Sequence, residues 1–256
     1  MSNTEKAKAI IEAFSTGSSE VLNYISDDEY IQHNLSFADG KAAIKGFFAD
    51  KPTGIDITVH RVLEDGDYVV VHSSYGGVWN NNQPQVVFDV FRFKNGLAVE
   101  HWDNLQDWVD PADTASGRSM VDGATEVTDL DKTEANRELM KGFLDLLYGR
   151  TSGEMTEYIS STQYDQHNPN VADGLEGFEV VLNKWKKDGV TMTYDRTPII
   201  IVQGNFAFTA SEGKLGDQPT AFYDLFRYEN GLVVEHWDVV VDIPPKTEWK
   251  NKNGKF

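Results

Sequence analysis

Two imidazole–amide pairs and two aspartates beside aromatic residues are the groups in this chain best suited to moving a proton. His33 is followed by Asn34 and His167 by Asn168. Each pair reads either as a base oriented by its neighbour or as a polar cap on the turn that follows. Asp89 stands two residues before Phe91, and Asp224 two before Phe226. A carboxylic acid buried among aromatic rings and close to another carboxylate keeps its proton, and a neutral acid can donate a hydrogen bond. The plainer alternative is a buried carboxyl bonded to a tyrosine or a backbone amide, holding a sheet together. His72 belongs only to the first set, because Ala210 occupies the matching place in the second.

These groups come in duplicate because the chain repeats itself. Tyr30-Ile31-Gln32-His33-Asn34 returns as Tyr164-Asp165-Gln166-His167-Asn168, 134 residues later. The run from Phe88 through Asn95-Gly96 to Glu100-His101-Trp102-Asp103 returns from Tyr223 through Asn230-Gly231 to Glu235-His236-Trp237-Asp238, offset by 135. That period is too long for a solenoid and indicates a duplicated domain, divided here as residues 1–128 and 129–256. The stretch 107–131, rich in Asp, Thr, Ser and Gly, holds most of the connection, and its end toward the second copy is expected to be mobile.

The formal charge of -18 disfavours nucleic acid, and the absence of cysteine excludes disulfides and thiolate chemistry. No apolar run is long enough to span a bilayer, and Met1 leads into an amphipathic pattern rather than a secretion signal, so a cytoplasmic protein without membrane association is expected. Neither copy has the His-x-x-x-His or carboxylate spacing of a metal site, so no metal and no cofactor is expected.

Helical spacing opens each copy, at 4–14 and 133–148, followed by a second short helix ending near Ile25 and Ile159. A third begins near Lys41 and Leu175, burying Ile44, Phe47 and Phe48 in one copy and Phe178, Val181, Leu182 and Trp185 in the other. Four strands then follow in each copy. Helices first and antiparallel strands after predict an α+β domain with helices covering one face of a curved antiparallel sheet. Asn95-Gly96 and Asn230-Gly231 predict two-residue hairpins. With Lys94 opposite Leu97 and regular pairing onward, Asp89, Phe91, Glu100 and Trp102 share one face and Arg92, His101 and Asp103 the other. In the second copy Asp224, Phe226, Glu235 and Trp237 oppose Arg227, His236 and Asp238 in the same way. A one-residue slip would reverse this sorting.

The element order, the Gln-His-Asn segment and the Asp-x-Phe-Arg run ending in Glu-His-Trp-Asp resemble the SnoaL-like branch of the nuclear-transport-factor-like superfamily. The resemblance covers both copies nearly end to end. It implies two tandem cone-shaped α+β domains, each with a pocket between helices and sheet. The superfamily includes polyketide cyclases, ketosteroid isomerases, epoxide hydrolases and noncatalytic binding proteins, so fold alone does not settle function. Similarity to ketosteroid isomerase implies that Asp89 and Asp224 are neutral oxyanion donors, and that His33 and His167 replace its basic carboxylate. The isomerase's tyrosine falls near Ile10 here, and the cyclase aspartate falls at Gln106 and Val241.

The expected activity is therefore acid–base chemistry on a small, apolar carbonyl metabolite, as in an isomerase, aldol-type cyclase or lyase. Tyr30, Asn34, His72, Phe91, Glu100 and Trp102 would line the first pocket, and Tyr164, Asn168, Phe226, Glu235 and Trp237 the second. If only one pocket is active, the first copy, richer in polar groups, is the preferred one. The alternative is a noncatalytic small-molecule binder using the same pockets. Epoxide hydrolysis is disfavoured because Arg92 and Asp89 fall on opposite faces. The resemblance further implies that the copies form an intramolecular pseudo-dimer, with homodimer formation left open.

Overall fold

The computed structural model describes residues 1–50 and 54–256, and the two copies are built alike. The first contains α1 (Asn3–Thr16), β1 (Ile31–Gln32), α2 (Lys41–Asp50), β2 (Ile55–Asp65), β3 (Tyr68–Gly77), β4 (Gln85–Lys94) and β5 (Leu97–Asp107). The second contains α3 (Thr133–Leu147), β6 (Asp165–Gln166), α4 (Gly174–Asp188), β7 (Met192–Gln203), β8 (Phe206–Leu215), β9 (Gln218–Glu229) and β10 (Leu232–Asp242). The architecture is α+β, with sheet orders β1-β5-β4-β3-β2 and β6-β10-β9-β8-β7. The expected second helix is only a 3₁₀ turn, Ser19–Tyr24 in one copy and Met155–Glu157 in the other.

Helix α1 starts on a Ser2–Glu5 capping box and ends at Gly17, whose φ of 76° supplies the left-handed cap. Its Ile10 and Ile11 pack with Val69, Val71, Phe91 and Phe93 of the sheet. Burying each such aliphatic side chain contributes about 1.5–3 kcal/mol. Met140, Phe143 and Leu144 of α3 join Phe226, Tyr228 and Val233 in the second copy.

The sheets are mixed rather than purely antiparallel. Four strands form an antiparallel meander in each, and the two-residue β1 and β6 lie parallel to β5 and β10. Helix α4 is less covered than its pattern suggested, with Leu182 36% exposed.

The structural units also depart from a division at 128/129. One comprises Met1–Trp108 with Ile243–Phe256, and the other Val109–Asp242. Each unit thus takes its tail from the chain that follows the other copy's last strand. Far from hanging loose, the end of the connection is bonded within the second unit. Thr128 N–H donates to Asn205 Oδ1 at 2.8 Å, Asn205 N–H returns a bond to the Thr128 carbonyl at 3.0 Å, and Met120 is buried.

Candidate functional site

Both Asn-Gly turns have positive φ at their central residues, 53° and 76° at Asn95-Gly96 and 53° and 81° at Asn230-Gly231. Lys94 does oppose Leu97, and Phe93 opposes Ala98, but the next pair is Arg92 with Glu100. Val99 is an extra residue on β5, and Val234 is its counterpart on β10. Each bulge sits where the preceding carbonyl is drawn aside. Ala98 O accepts from Ser26 N–H at 3.0 Å, and Val233 O from Ser160 N–H at 2.9 Å.

The bulge reverses the predicted sorting. Asp89 opposes Asp103 and Phe91 opposes His101, while Val90 opposes Trp102 and Arg92 opposes Glu100. Phe91 packs with the helix, so Asp89, His101 and Asp103 share the helix-covered face. Glu100, Trp102 and Arg92 occupy the other face. In the second copy Asp224, Phe226, His236 and Asp238 face the helix, and Glu235, Trp237 and Arg227 do not.

His33 and His167 are consequently not the imidazoles that meet Asp89 and Asp224. His33 stacks on Trp102, with centroids 4.8 Å apart, and its Nε2 lies 2.9 Å from Glu100 Oε1. Its Nδ1 donates to the Gly254 carbonyl at 2.9 Å. His167 stacks on Trp237 at 4.7 Å, its Nε2 is 3.1 Å from Glu235 Oε1, and its Nδ1 bonds to the Ser119 carbonyl at 2.6 Å. With both ring nitrogens engaged, neither histidine is open to a ligand as a base.

Burial works to raise the carboxyls of Glu100 and Glu235. Hydrogen bonds from the histidine and from Arg92 or Arg227 outweigh it, so both sit below their ordinary value. His72 is also on the far face, stacked on Phe88 at 4.3 Å with Arg61 bonded to its Nδ1.

His101 is the imidazole that meets Asp89. Its Nε2 lies 3.0 Å from Asp89 Oδ1, and its Nδ1 lies 3.0 Å from Gln32 Oε1. That amide oxygen also accepts from Asn34 N–H at 2.8 Å, which fixes it as an acceptor and His101 Nδ1 as a donor. Asn34 Nδ2 then donates to Asp103 Oδ2 at 2.7 Å, and Tyr75 O–H donates to Asp89 Oδ2 at 2.9 Å. Burial raises Asp89 above the ordinary carboxylate range, against the pull of His101. Tyr30, buried beside these acids, has its phenol raised by burial and by the charges of Asp103 and Asp89.

The second copy repeats the constellation. His236 Nε2 lies 3.1 Å from Asp224 Oδ1, its Nδ1 lies 2.9 Å from Gln166 Oε1, and Asn168 Nδ2 donates to Asp238 Oδ2 at 2.6 Å. Tyr164 and Phe226 both stack on His236, with centroids 6.3 and 4.7 Å away. Asp238 Oδ1 is buried without a hydrogen-bond partner. Burial, with the charge of Asp224 adding to it, pushes the Asp238 carboxyl up to about 6. Burial would lower His236, but its bond to Asp224 and the charges of Asp238 and Asp224 prevail and raise it.

Between α4 and β7 lies a cleft of ≈ 270 Å³ lined by Leu182, Trp185, Val190 and Met192 among others. Two residues beyond Met192, Tyr194 feels the charges of Asp224 and Asp238, although burial is the main reason its phenol is raised well above the usual value.

Asp89, His101 and Asp103, and likewise Asp224, His236 and Asp238, bring three ligand-type atoms within 4.8 Å of one another, a convergence that linear spacing did not reveal. In both, the imidazole Nε2 that a cation would need faces an aspartate oxygen. Sequence reasoning missed the placement of His101, Asp103, His236 and Asp238. The i, i+2 spacing of His and Asp put them together on one face, but nothing local said which face.

Residues 7–101 match the family described as SnoaL-like domain. No curated protein matches the chain. Among solved structures, TsrD from Streptomyces laurentii is 17% identical, with a TM-score of 0.35 over 40% of this chain and 86% of its own. An LEH-like epoxide hydrolase from M. tuberculosis is 16% identical, with a TM-score of 0.36 over 41% and 82%. A protein with a ketosteroid isomerase-like fold from Catenulispora acidiphila, in complex with trimethylamine, is 19% identical, with a TM-score of 0.32 over 39% and 83%. No helix among the described residues is long and apolar enough to cross a membrane. The first copy is thus similar to the SnoaL-like domain family over residues 7–101, and the second copy repeats its motifs, strand order and bulge.

Proposed function

We propose that the chain is an acid–base enzyme for a small, apolar carbonyl compound, with its working centre in the second copy. The observation that carries this reading is Asp238 Oδ1, a buried carboxyl oxygen with no hydrogen-bond partner, on a group that burial pushes up to about 6. A base of that strength, held out of water, is matched to removing a proton from carbon next to a carbonyl. His236, with its affinity for protons raised, and the phenols of Tyr164 and Tyr194, kept protonated chiefly by burial, would face the oxyanion that forms. The substrate would enter from the cleft of Leu182, Trp185, Val190 and Met192, whose last residue lies two before Tyr194. Proton abstraction and return at this site is the step shared by isomerisation and aldol-type cyclisation.

The first copy supports a binding or scaffolding role instead. Both Asp89 oxygens are already bonded, one to His101 and one to Tyr75.

The test is exchange of carbon-bound hydrogen for deuterium in D₂O across a panel of apolar ketones and diketones, followed by NMR. Asp238→Asn and His236→Gln should each slow exchange about 10²-fold or more. His33→Gln, whose imidazole meets Glu100 on the other face of the first sheet rather than Asp238, should leave it within about threefold. Exchange unaffected by Asp238→Asn would end this reading.

A further inference from the structure

The tails repeat along with the domains, and they dock crosswise. Lys250 N–H donates to the Leu35 carbonyl at 2.8 Å, and Ala115 N–H to the Pro169 carbonyl at 2.9 Å. Gly254 O meets His33, and Ser119 O meets His167. Lys250 and Ala115 are 135 residues apart, as are Gly254 and Ser119, and their targets are 134 apart. The same contact is therefore made twice, each time by the segment encoded after the other copy.

What the tails grip is the loop that holds the imidazole–carboxylate pair. In the first unit Asn253 Nδ2 donates to the Gln32 carbonyl at 3.0 Å and to Asp39 Oδ1 at 2.8 Å. Asp39 Oδ1 itself accepts from Gln32 N–H at 3.0 Å. The buried Asn251 donates to the carbonyls of Asn34 and Phe37 at 2.8 and 3.0 Å, and Lys255 Nζ to the carbonyl of Asp103. Gln32 and Asn34 are the side chains that orient His101 and Asp103. In the second unit Arg118 pairs with Asp173, which accepts from Gln166 N–H, and Trp237 Nε1 donates to the Asp122 carbonyl.

We infer that residues 250–255 and 115–122 are exchanged straps, each positioning the imidazole–carboxylate pair of the copy it does not follow. Gln32 and Gln166 relay the grip to the ring, the strap holding their backbone while their side-chain oxygen fixes the imidazole Nδ1. The backbone adds a second route, since His33 N–H donates to the His101 carbonyl and His167 N–H to that of His236, both at 2.9 Å. These are positioning residues. They touch the loop, not the reacting atoms.

This inference takes the importance of the pair from the reading above, but its test does not use turnover, so either can fail alone. In the full chain, Asn251→Ala with Asn253→Ala should shift the imidazole ¹⁵N–¹H resonances of His33 and His101 and speed exchange of the His33 and Asn34 amides about tenfold or more. The resonances of His167 and His236 should stay in place. Arg118→Ala should do the converse. A shift confined to His33, or one common to all four histidines in either variant, would overturn the strap. Wild-type exchange decides the matter should the variants fold poorly. The amides of His33 and Lys250 should open at a common rate, and independent opening would refute it.

Discussion

The two copies place one phenol differently, and in the first copy alone it is bonded to the aspartate at that level of the sheet, Asp89 rather than Asp224. In the first copy Tyr75 on β3 pairs with Ile57 on β2 and bonds to Asp89. In the second the corresponding pair is Gly213 on β8 and Tyr194 on β7, so the phenol has crossed to the neighbouring strand. Gly213 cannot take back a side chain without a shift, because a Cβ there would stand 1.9 Å from the Thr193 carbonyl oxygen. Tyr194 lies on the strand that begins at the cleft-lining Met192. Moving one aromatic hydroxyl by one strand takes away the bond that Asp89 accepts from Tyr75, since no bond from Tyr194 to the matching Asp224 is described, and across the sheet from Asp224 the carboxyl of Asp238 keeps a spare oxygen.

The comparison can be pressed first through pH. Asp238 rises from 3.8 to about 6 in the folded chain. The folded state therefore holds the proton more tightly, and the stabilisation is fully present below the unfolded value and lost as pH climbs through the folded one. Two units correspond to about 3 kcal/mol. Denaturant titrations between pH 4 and 7 should show wild type losing up to that much relative to Asp238→Asn. A constant difference would remove the basis for calling this carboxyl perturbed.

Next in size is the bond that closes the first copy. Tyr75→Phe strands Asp89 Oδ2 in a buried site, a cost of about 1–3 kcal/mol by equilibrium unfolding. Tyr194→Phe, which breaks no bond to Asp224 described in the structure, should cost less. Equal costs would mean that the phenols are equivalent after all.

The smallest effect concerns the straps. Arg118 bonds to the partly exposed carboxylates of Asp173 and Asp165, whereas Asn251 and Asn253 use neutral amides. Such ion pairs contribute about 0.2–1 kcal/mol and are screened at ~1 M salt, where the Debye length is about 3 Å. Salt should therefore speed amide exchange at His167 and not at His33.

Much of this molecule was legible from local pattern. The repeat, the long helices, the four-strand meander and the Asn-Gly turns follow from periodicity and from two residue types that tolerate positive φ. Arg92 and Asp89 do fall on opposite faces, since they lie three apart on one strand. The sorting of the facing strand failed at Val99 and Val234. A bulge there is decided by a distant donor, Ser26 or Ser160, and one inserted residue moves every later side chain across the sheet.

His33 looked catalytic because an imidazole beside an amide suits both roles. Its place became evident only with the tail, whose contact is a backbone carbonyl that leaves no mark on residue type. The crosswise docking was hidden for the same reason. Adjacent sequence suggested that each tail belongs to the copy it follows.

The claim that the second copy keeps an open, proton-holding acid is tested most directly by ¹³C NMR titration of its aspartate carboxyls, assigned through Asp238→Asn. The account predicts a midpoint near 6 for Asp238. A midpoint near the ordinary 3.8 would contradict it.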